Sequence, residues 1–443
     1  MKRITGLAAA LGHFRGAALE AAADLPPAVQ TRVREVFGED LDAEGVAARV
    51  IADVRRHGDE AVLRLSGQID GRPLAFIEVP RTELDAAPSR IPAETRAALE
   101  MAAERVGAFQ AAAMPSSWHD EEQRYGEIVT PLRRVGAYVP GGTAPLASTV
   151  IMTAVPARVA GVDEVVLTSP APGDALPHPA VLAAAKIAGV DRVFKIGGAQ
   201  AVAALAFGTE TVPAVDLVCG PGNVFVTAAK RQLFGRVGID GLYGPTETLV
   251  VADDGADPEF CAADLLAQAE HDVMARPLLV TTSAGMADRV EAAMARMLGA
   301  MPRKEIASQA LEHNGAAVIV DTVEEAIEVA NAVAPEHLCL AVDGAERYVP
   351  LVRNAGGLFI GEFSAEVMGD YVAGPSHVMP TGGTARFASA LSVRHFLRFT
   401  PLVDLDEDAF LAIARQAADL ARTEHLQGHA EAAEVRLRRL LGE

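Results

Sequence analysis

The pattern of apolar residues changes twice along the chain. Up to about residue 130, apolar residues recur at spacings of three and four, as in EGVAARVIADVRRHG and AETRAALEMAAERVGAFQAAA, and this period predicts amphipathic helices. One short apolar run among them, PLAFIEVP, predicts a strand. From about residue 391 the helical period returns, and the leucines of AEVRLRRLL fit either a core or a dimer contact.

Short apolar runs alternate with helical segments between about residue 135 and residue 390. Examples are EVVLTSP followed by HPAVLAAAKIAG, and GAAVIVD followed by VEEAIEVANAV. Such alternation predicts βα units with right-handed crossovers, and therefore parallel sheets. The sequence predicts an α/β fold with two Rossmann-like parallel-sheet domains flanking a cleft, with helical N-terminal and C-terminal extensions.

Domain boundaries follow from these changes of pattern. Residues 1–30 are expected to form a helical arm, and residues 391–443 a helical tail. We expect 135–246 to form one sheet domain, and 31–134 together with 247–390 to form the other. A chain of 443 residues requires more than one domain, since single cores rarely exceed about 300 residues.

Three predicted strands of the first sheet domain end in turns that contain glycine and lead into helices: PGG at 140–142, IGGAQ at 196–200 and GPGN at 220–223. Glycine permits a ligand to approach the backbone closely, and ligands of open parallel sheets bind beyond the carboxyl ends of the strands. Helix N-termini at this edge favour phosphate groups. These turns make 135–246 a candidate nucleotide-binding domain, although the sequence has no GxGxxG motif.

Composition and charge narrow the classes of function. The formal net charge is −20 and Lys and Arg are not clustered, which argues against nucleic acid as a partner. Cys219, Cys261 and Cys339 have no CxxC spacing, so we expect buried apolar side chains rather than disulfides or a thiolate zinc site. No apolar run approaches the roughly 20 residues that cross a bilayer, and no convincing signal-peptide cleavage site follows the Ala-rich start. A cytoplasmic protein with no membrane partner is expected.

Four polar stretches interrupt the apolar pattern after residue 246. LAQAEHDV places two polar side chains three residues apart on one face of a helix that is predicted to begin at Asp257. Taken alone, such a pair fits a hydrogen-bonded surface pair. The pairs in the four stretches are Gln268 and His271, Glu336 and His337, Asp370 and His377, and Glu424 and His429.

A divalent metal site is the alternative to four surface pairs. Without thiolates, a divalent metal binds imidazole nitrogen and carboxylate or amide oxygen. The chain carries these donors at four of the positions just named: Gln268, His271, Asp370 and His429. Spacing alone does not pair residues so distant in sequence, so both alternatives stay open at this level. Glu424 and His429 would diverge on a continuous helix, and a helix break near Gly428 would let both face one site.

Taken together, these stretches resemble one known family, the histidinol dehydrogenases. The motifs, in the order of the family, are YVPGGTAPLASTV, IGGAQAVAALAFGTETVP, GPGNVFVTAAKR, GPTETLVVAD, LLAQAEHD, APEHL, GDYVAGPSHVMPTGGTARF and EHLQGHAEAAEVR. They cover nearly everything from about residue 125 to the end. The N-terminal quarter is similar to the family less specifically.

The resemblance implies a zinc-dependent enzyme that oxidises L-histidinol to L-histidine in two successive steps with two NAD molecules, as the last stage of histidine biosynthesis. Glu336 and His337 would be the acid–base pair. His337 would remove the alcohol proton, and Glu336 would activate the water that adds to the aldehyde before the second hydride leaves. The zinc would mainly orient the substrate. Its implied ligands are Gln268, His271, Asp370 and His429.

The resemblance also implies substrate and cofactor contacts. NAD would contact Tyr138, Gln200 and Asn223, one from each of the three glycine-containing turns. Family members are homodimers in which the tail of one subunit helps to complete the site of the other, so 391–443 would contribute across the interface. The implied substrate contacts are Thr246, Gln268, His271, His337, Asp370, Glu424 and His429, with an auxiliary role for His377.

The chain departs from the motifs of the family at a few positions. Where most members have PAGPSE, the chain has LYGPTE, which introduces Tyr243 and Thr246. GPSH, with Ser376, replaces the commoner GPNH, and Val273 and Met274 replace residues that are usually polar. We expect these changes to affect substrate identity more than reaction type, because they leave the implied metal ligands and acid–base pair intact.

Three other functions compete with this interpretation. A paralogous zinc- and NAD-dependent dehydrogenase of another small polar alcohol, such as a sulfonated diol, would not need both Glu424 and His429. A metal-dependent hydrolase with Glu336 as its base would have no use for three glycine-containing turns on a parallel sheet. A catalytically silent binding protein would not need every ionisable residue of the set. Histidinol dehydrogenase is therefore the prediction.

Overall fold

The computed structural model describes residues 1–14, 25–70, 73–141, 144–172 and 175–442. The chain divides into two compact units, described separately below. The sheet unit comprises Met1–Ala113 and Leu132–Phe396, and the tail unit comprises Met114–Pro131 and Leu397–Glu443.

The strands are numbered in chain order. They are β1 Lys2–Thr5, β2 Trp118–Asp120, β3 Tyr125–Pro131, β4 Arg134–Tyr138, β5 Glu164–Thr168, β6 Arg192–Phe194, β7 Leu217–Cys219, β8 Gly238–Ile239, β9 Glu247–Ala252, β10 Arg276–Thr281, β11 Ala316–Ile319, β12 His337–Ala341, β13 Gly357–Ile360 and β14 Leu397–Val403.

The α-helices are numbered in the same way. They are α1 Leu7–Phe14, α2 Pro27–Phe37, α3 Ala43–Asp70, α4 Arg81–Ala86, α5 Ala93–Ala112, α6 Ala147–Ala160, α7 Pro179–Ile187, α8 Gly198–Phe207, α9 Val224–Leu233, α10 Pro258–Ala269, α11 Ala284–Leu298, α12 Lys304–His313, α13 Val323–Val333, α14 Glu366–Tyr371, α15 Glu407–Thr423 and α16 Gln427–Leu441.

Two parallel sheets form the sheet unit, which confirms the α/β fold predicted from the alternation of strands and helices. Over the described residues one sheet has six strands in the order β1-β11-β10-β9-β12-β13, and the other has five in the order β6-β5-β4-β7-β8. Neighbouring strands in both sheets run parallel. Strand-to-strand connections of this kind require crossovers, and the intervening helices supply them.

Helices cover both faces of the six-stranded sheet. All six residues of β9 are buried, and alternate side chains enter different cores. Leu249 and Val251 pack in the core that contains residues of α1 and α13, whereas Val250 and Ala252 pack in the core that contains residues of α10 and α11. This arrangement explains why the strands of the sheet are uninterrupted apolar runs rather than alternating ones.

The N-terminal segments pack differently from the expectation. Residues 2–5, expected within a helical arm over 1–30, form β1 and extend the six-stranded sheet beside β11, while 15–24 lie outside the described residues. Helices α2 and α3, expected within 31–134 to pack with 247–390, instead share a core with α8 and α9 beside the five-stranded sheet. The periodicity of a helix reveals its apolar face, but not which sheet that face covers.

The tail unit contains strands that the helical interpretations of residues 1–130 and 391–443 missed. An antiparallel sheet joins β14, β3 and β2 in that order, and the tail helices α15 and α16 pack on each other. Most side chains of these strands are exposed or half-buried. With neither face well covered, the strands have no alternation of apolar and polar residues that sequence reasoning can detect. The predicted strand PLAFIEVP forms only an isolated bridge, between Glu78 and Phe194.

The cysteines lie where the sequence analysis expected them. Cys219, Cys261 and Cys339 are free and buried. Across the part of the chain that the structure describes, no helix is long and apolar enough to cross a membrane.

Candidate active site at the amino edge of the six-stranded sheet

Several of the predicted site residues meet at the amino ends of two neighbouring strands. Thr246 directly precedes β9, and His337 is the first residue of β12, which pairs with β9. Helix α10 runs back across the sheet after β9, so its last turn, with Gln268, returns to the same edge. Asp257 caps the start of this helix by accepting a hydrogen bond from the backbone N–H of Glu259, as the sequence predicted.

Glu336 is a buried carboxyl group held by two donors. Its Oε2 accepts hydrogen bonds from Thr246 Oγ1 at 2.5 Å and from the backbone N–H of Glu247 at 3.1 Å. Burial is the main reason why the pKa of Glu336 rises to about 7. A carboxyl group with this pKa exchanges protons near neutral pH, which suits a general base or acid.

His337 lies between two carboxylates and an aromatic ring. Its Nε2 donates to Asp370 Oδ1 at 3.2 Å, and its Nδ1 donates to the backbone oxygen of Glu247 at 3.3 Å. The ring stacks on Phe359 with centroids 5.8 Å apart. Burial lowers the pKa of His337, but the charges and hydrogen bonds of nearby carboxylates, led by Glu336, outweigh it and raise the pKa to about 10. The direction of this shift favours the protonated ring in the absence of a cation.

The amide of Gln268 lies between Thr246 and Asp370. Thr246 Oγ1 is 2.9 Å from Gln268 Oε1, and Gln268 Nε2 is 3.5 Å from Asp370 Oδ2. Thr246 has one proton, and its shorter contact is with the Glu336 carboxylate. Flipping the amide would exchange its bond to Asp370 for one donated to Thr246. Gln268 Oε1 would then lie beside Asp370 Oδ2, and two oxygens placed in this way suit a cation.

His271 follows the end of α10 and donates its backbone N–H to the carbonyl of Gln268 at 3.2 Å. The residue is exposed at the surface of the chain, yet partial burial of the imidazole lowers its pKa while the charge of Asp370 opposes that shift. The pKa of Asp370 is lowered. Burial alone would raise it, but the hydrogen bond with His337 and the charges of His337, His377 and His271 outweigh burial. The charge interaction between His271 and Asp370 and the contact of Gln268 with Asp370 link an imidazole, a carboxylate and an amide, and these donor types fit zinc.

His377 links Asp370 to the other sheet of the unit. Its Nδ1 donates to the backbone oxygen of Asp370 at 2.8 Å, and its Nε2 lies 3.1 Å from the Thr149 hydroxyl at the start of α6. Burial lowers the pKa of His377, which favours the neutral ring whose Nε2 accepts from Thr149. Both ring nitrogens are engaged in this way, so a direct contact between His377 and substrate stays a prediction.

Glu424 and His429 belong to the tail unit. A short non-helical segment separates α15 from α16. Glu424 directly follows α15, His429 lies in the first turn of α16, and both residues are exposed. The break is centred on His425, whose φ is 61°, and not on Gly428 as the sequence suggested. Within the described residues no group of three or more His, Cys, Asp or Glu side chains is arranged to hold a metal ion. The placement of His429 as a fourth ligand stays a prediction.

The predicted cofactor residues follow the carboxyl ends of β4, β6 and β7. Tyr138 ends β4 and its hydroxyl accepts from the backbone N–H of Gly198, at the start of α8. Gln200 is buried, and among the described residues its Oε1 has no hydrogen-bond partner. Asn223 caps α9 by accepting from Phe225 and Val226 N–H groups. Gly142 of the first turn lies outside the described residues.

Sequence reasoning missed three buried polar residues near the site. Glu247 accepts from Arg276 at 2.6 Å, and Thr149 holds His377. Glu366 is fully buried, accepts from Cys339 Sγ at 3.0 Å and from Thr248, and contributes to the raised pKa of His337. A charged residue directly beside an apolar run is the signal that could have identified Glu247.

Comparisons with known proteins identify the family of the chain. The model of the family described as histidinol dehydrogenase matches residues 35–437. The histidinol dehydrogenase of Deinococcus radiodurans is 50% identical over 419 residues, covering 94% of this chain and 95% of the relative. That of Thermus thermophilus is 49% identical over 408 residues, covering 90% and 95%.

A solved structure extends the similarity to the whole fold. The crystal structure of histidinol dehydrogenase from Elizabethkingia anophelis superposes with a TM-score of 0.88 at 32% identity, covering 99% of this chain and 98% of that one. Sequence and fold agree over nearly the full length, and the chain belongs to the histidinol dehydrogenase family.

Proposed function

We propose that the chain oxidises L-histidinol to L-histidine in two successive steps in the cytoplasm, as the last reaction of histidine biosynthesis. The observation that supports this most directly is the group formed by the buried Glu336 and His337 with the half-buried Asp370. Thr246 and Gln268 are in hydrogen-bond contact with this group. The names of close relatives favour histidinol over another small polar alcohol as the substrate.

Zinc would be held by Gln268, His271 and Asp370, with His429 of the partner subunit as the fourth ligand. When bound there, zinc would fix the imidazole and amino groups of the substrate and neutralise the charge of Asp370. With Asp370 neutralised, His337 experiences less negative charge, and its pKa falls from about 10 toward the range of a base that works at neutral pH.

His337 and Glu336 would divide the proton transfers between them. In the first step His337 takes the proton of the substrate hydroxyl as hydride leaves the carbon. In the second, Glu336 takes a proton from the water that adds to the aldehyde, a role for which its pKa of about 7 is suited. The hydrogen bonds from Thr246 and Glu247 fix the carboxylate in place for this role.

NAD would bind at the carboxyl ends of the five-stranded sheet and accept one hydride in each step. Tyr138, Gln200 and Asn223 would contact it. Asn223 lies at the N-terminus of α9, and such helix ends favour phosphate oxygens. In this proposal 135–246 is the NAD-binding domain and 247–390 carries the metal and acid–base residues.

The protein would act as a homodimer in which the tail unit of one subunit completes the site of the other. The tail unit exposes large apolar side chains that a partner subunit would cover: Trp118, Tyr125, Ile128, Phe399, Val403, Ile413, Leu420 and Val435. Exposed apolar surface of this kind marks an interface. Glu424 of the partner subunit would then accept a charge-assisted hydrogen bond from the substrate.

The first test counts NADH per substrate. Purified protein incubated with limiting L-histidinol and excess NAD should produce about two NADH per histidinol, because the aldehyde is oxidised in the same site. Activity should disappear with a chelator and return with zinc. No turnover of histidinol beside activity on another alcohol would favour the paralogous dehydrogenase, and turnover without NAD would favour the hydrolase.

The second test measures bound metal. Replacing Asp370 by Asn should lower zinc content from about one per chain to nearly none after dialysis, since it removes the one carboxylate among the proposed ligands. Metal analysis of the purified proteins measures this directly. Asp288→Asn is the matched control, because Asp288 is an exposed carboxylate paired with Arg3 and its loss should leave zinc unchanged. Full zinc content in the Asp370→Asn variant would contradict the proposed ligand set.

A further inference from the structure

Tyr243 occupies a place that its position in the sequence does not suggest. It lies three residues before Thr246, where a side chain directed at the substrate would reshape the pocket. Its ring is instead only 8% exposed and folds over Gly241, with the centroid 4.9 Å from Lys230 Nζ. The hydroxyl is close to Asp240, but the geometry between them does not form a hydrogen bond.

Lys230 and Asp240 form a buried ion pair beneath this ring. Lys230 Nζ donates to Asp240 Oδ1 at 2.5 Å, and both side chains are almost fully buried. The same pair binds both polar groups of the Gly220 backbone: Lys230 Nζ donates to its oxygen at 3.0 Å, and its N–H donates to Asp240 Oδ2 at 2.7 Å. The buried ion pair thus fixes both polar groups of Gly220, and Asp240 Oδ1 also accepts from the backbone N–H of Gly241 at 2.9 Å.

Gly220 is the first residue of the GPGN turn that carries Asn223. Its φ is +105°, and a Cβ there would lie 2.1 Å from the backbone oxygen of Tyr138. The turn thus touches the end of β4, where the second proposed cofactor residue lies. Tyr138 in turn accepts from Gly198, at the start of the helix that carries Gln200. A shift of Gly220 would disturb the relative positions of all three proposed NAD contacts.

Hydrogen bonds to α9 and to Thr381 fix the backbone at Tyr243 and Gly244. Thr227 Oγ1 on α9 donates to the Tyr243 carbonyl at 3.0 Å, and the N–H of Gly244 donates to Thr381 Oγ1 at 2.6 Å. The segment therefore has a defined path, with the ring on the side of Lys230. A small side chain at 243 would expose the ion pair to water, which would compete for Lys230 and for the Gly220 oxygen.

We propose that Lys230, Asp240 and Tyr243 form a positioning group for the cofactor turn, with Tyr243 as its aromatic cover. On this view the LYGP variation of the chain adjusts the affinity for NAD and not the choice of substrate. The inference rests on the proposed function, since it takes the GPGN turn to bind NAD.

The test compares NADH binding with substrate use in Tyr243 variants. NADH fluorescence titration of the purified protein gives a Kd without turnover, and steady-state rates give the KM for histidinol. Tyr243→Ala and Tyr243→Leu should raise the Kd for NADH about tenfold, because both remove the aromatic face over Lys230. The KM for histidinol should stay within about twofold of wild type. Tyr243→Phe keeps the ring and should therefore bind NADH with the wild-type Kd.

Tyr348→Ala is the matched control. Tyr348 is also 8% exposed and also has a cationic side chain, Arg347, 4.7 Å from its ring, but it lies outside the proposed cofactor turns. This variant should lose a comparable amount of thermal stability with no change in the Kd for NADH. An unchanged Kd in both Tyr243→Ala and Tyr243→Leu, or a change confined to the KM for histidinol, would overturn the positioning group. Wild-type protein that fails to bind NADH would instead overturn the proposed function.

Discussion

Replacing His337 by Asn should lower kcat about a thousandfold, because a positioned general base contributes roughly two to four orders of magnitude. His337 is buried and aligned by hydrogen bonds to Asp370 and to the Glu247 backbone, and the amide of Asn has no basic nitrogen that could take the substrate proton. The measurement is the steady-state rate of NADH formation from histidinol. NADH from both steps should form slowly, since the second step cannot begin until the first has supplied the aldehyde.

Glu336→Gln should give a different pattern, and the difference is the sharper test. The amide oxygen can still accept from Thr246 and from the Glu247 N–H, so the local structure should be kept. The first hydride transfer should survive, and the hydration of the aldehyde should fail. Rapid mixing of enzyme with excess substrate should therefore show a burst of about one NADH per site followed by slow turnover.

The pH dependence of the second step should follow Glu336. Because burial raises its pKa to about 7, the carboxylate form that accepts a proton grows as pH increases through that value. The rate of the second step should rise correspondingly, and Glu336→Gln should abolish this rise.

His313→Asn is the control for His337→Asn. His313 is exposed at the end of α12, so its replacement should leave both steps unchanged. Equal loss of both steps in Glu336→Gln would contradict the division of roles.

The strands of the two parallel sheets could be predicted from the sequence because both faces of these strands are buried. Runs such as TLVVA in β9 are apolar at consecutive positions, and this signal needs no knowledge of neighbours. The strands of the tail unit lack that signal, since their side chains are largely exposed. The sheet against which α2 and α3 pack could not be predicted either, because an apolar face shows that a helix is packed but does not show against which element.

The candidate site shows the same limit. Gln268 and His271 could be identified because polar residues at helical spacing conflict with a packed helix. The contact of His337 with Asp370 depends instead on the pairing of β12 with β9 and on the return of the chain through α14, and neither is a local property. Tyr243 was expected to affect substrate identity, and only the structure shows that its ring packs on Lys230. Side-chain direction is fixed by packing and not by position in a motif.

Mixing two inactive variants should restore about a quarter of the wild-type activity, if the tail of one subunit completes the site of the other. One variant is His337→Asn in the sheet unit and the other is His429→Asn in the tail unit. After dissociation and reassociation of an equal mixture, about half of the dimers contain one chain of each kind. In such a dimer one site combines both substitutions, and the other combines an intact sheet unit with an intact tail.

The result distinguishes a site that takes His429 from the partner subunit from a site that takes His429 from its own chain. If each chain supplied its own His429, every site in the mixed dimer would carry one of the two substitutions and the mixture would stay inactive. Mixing His337→Asn with Asp370→Asn is the matched control, because both substitutions lie in the sheet unit and no assortment of subunits makes an intact site. Recovery in the first mixture and none in the second would assign His429 to the partner subunit. The absence of recovery in both, with dimer exchange verified, would mean that the distant tail contributes its ligand within one chain.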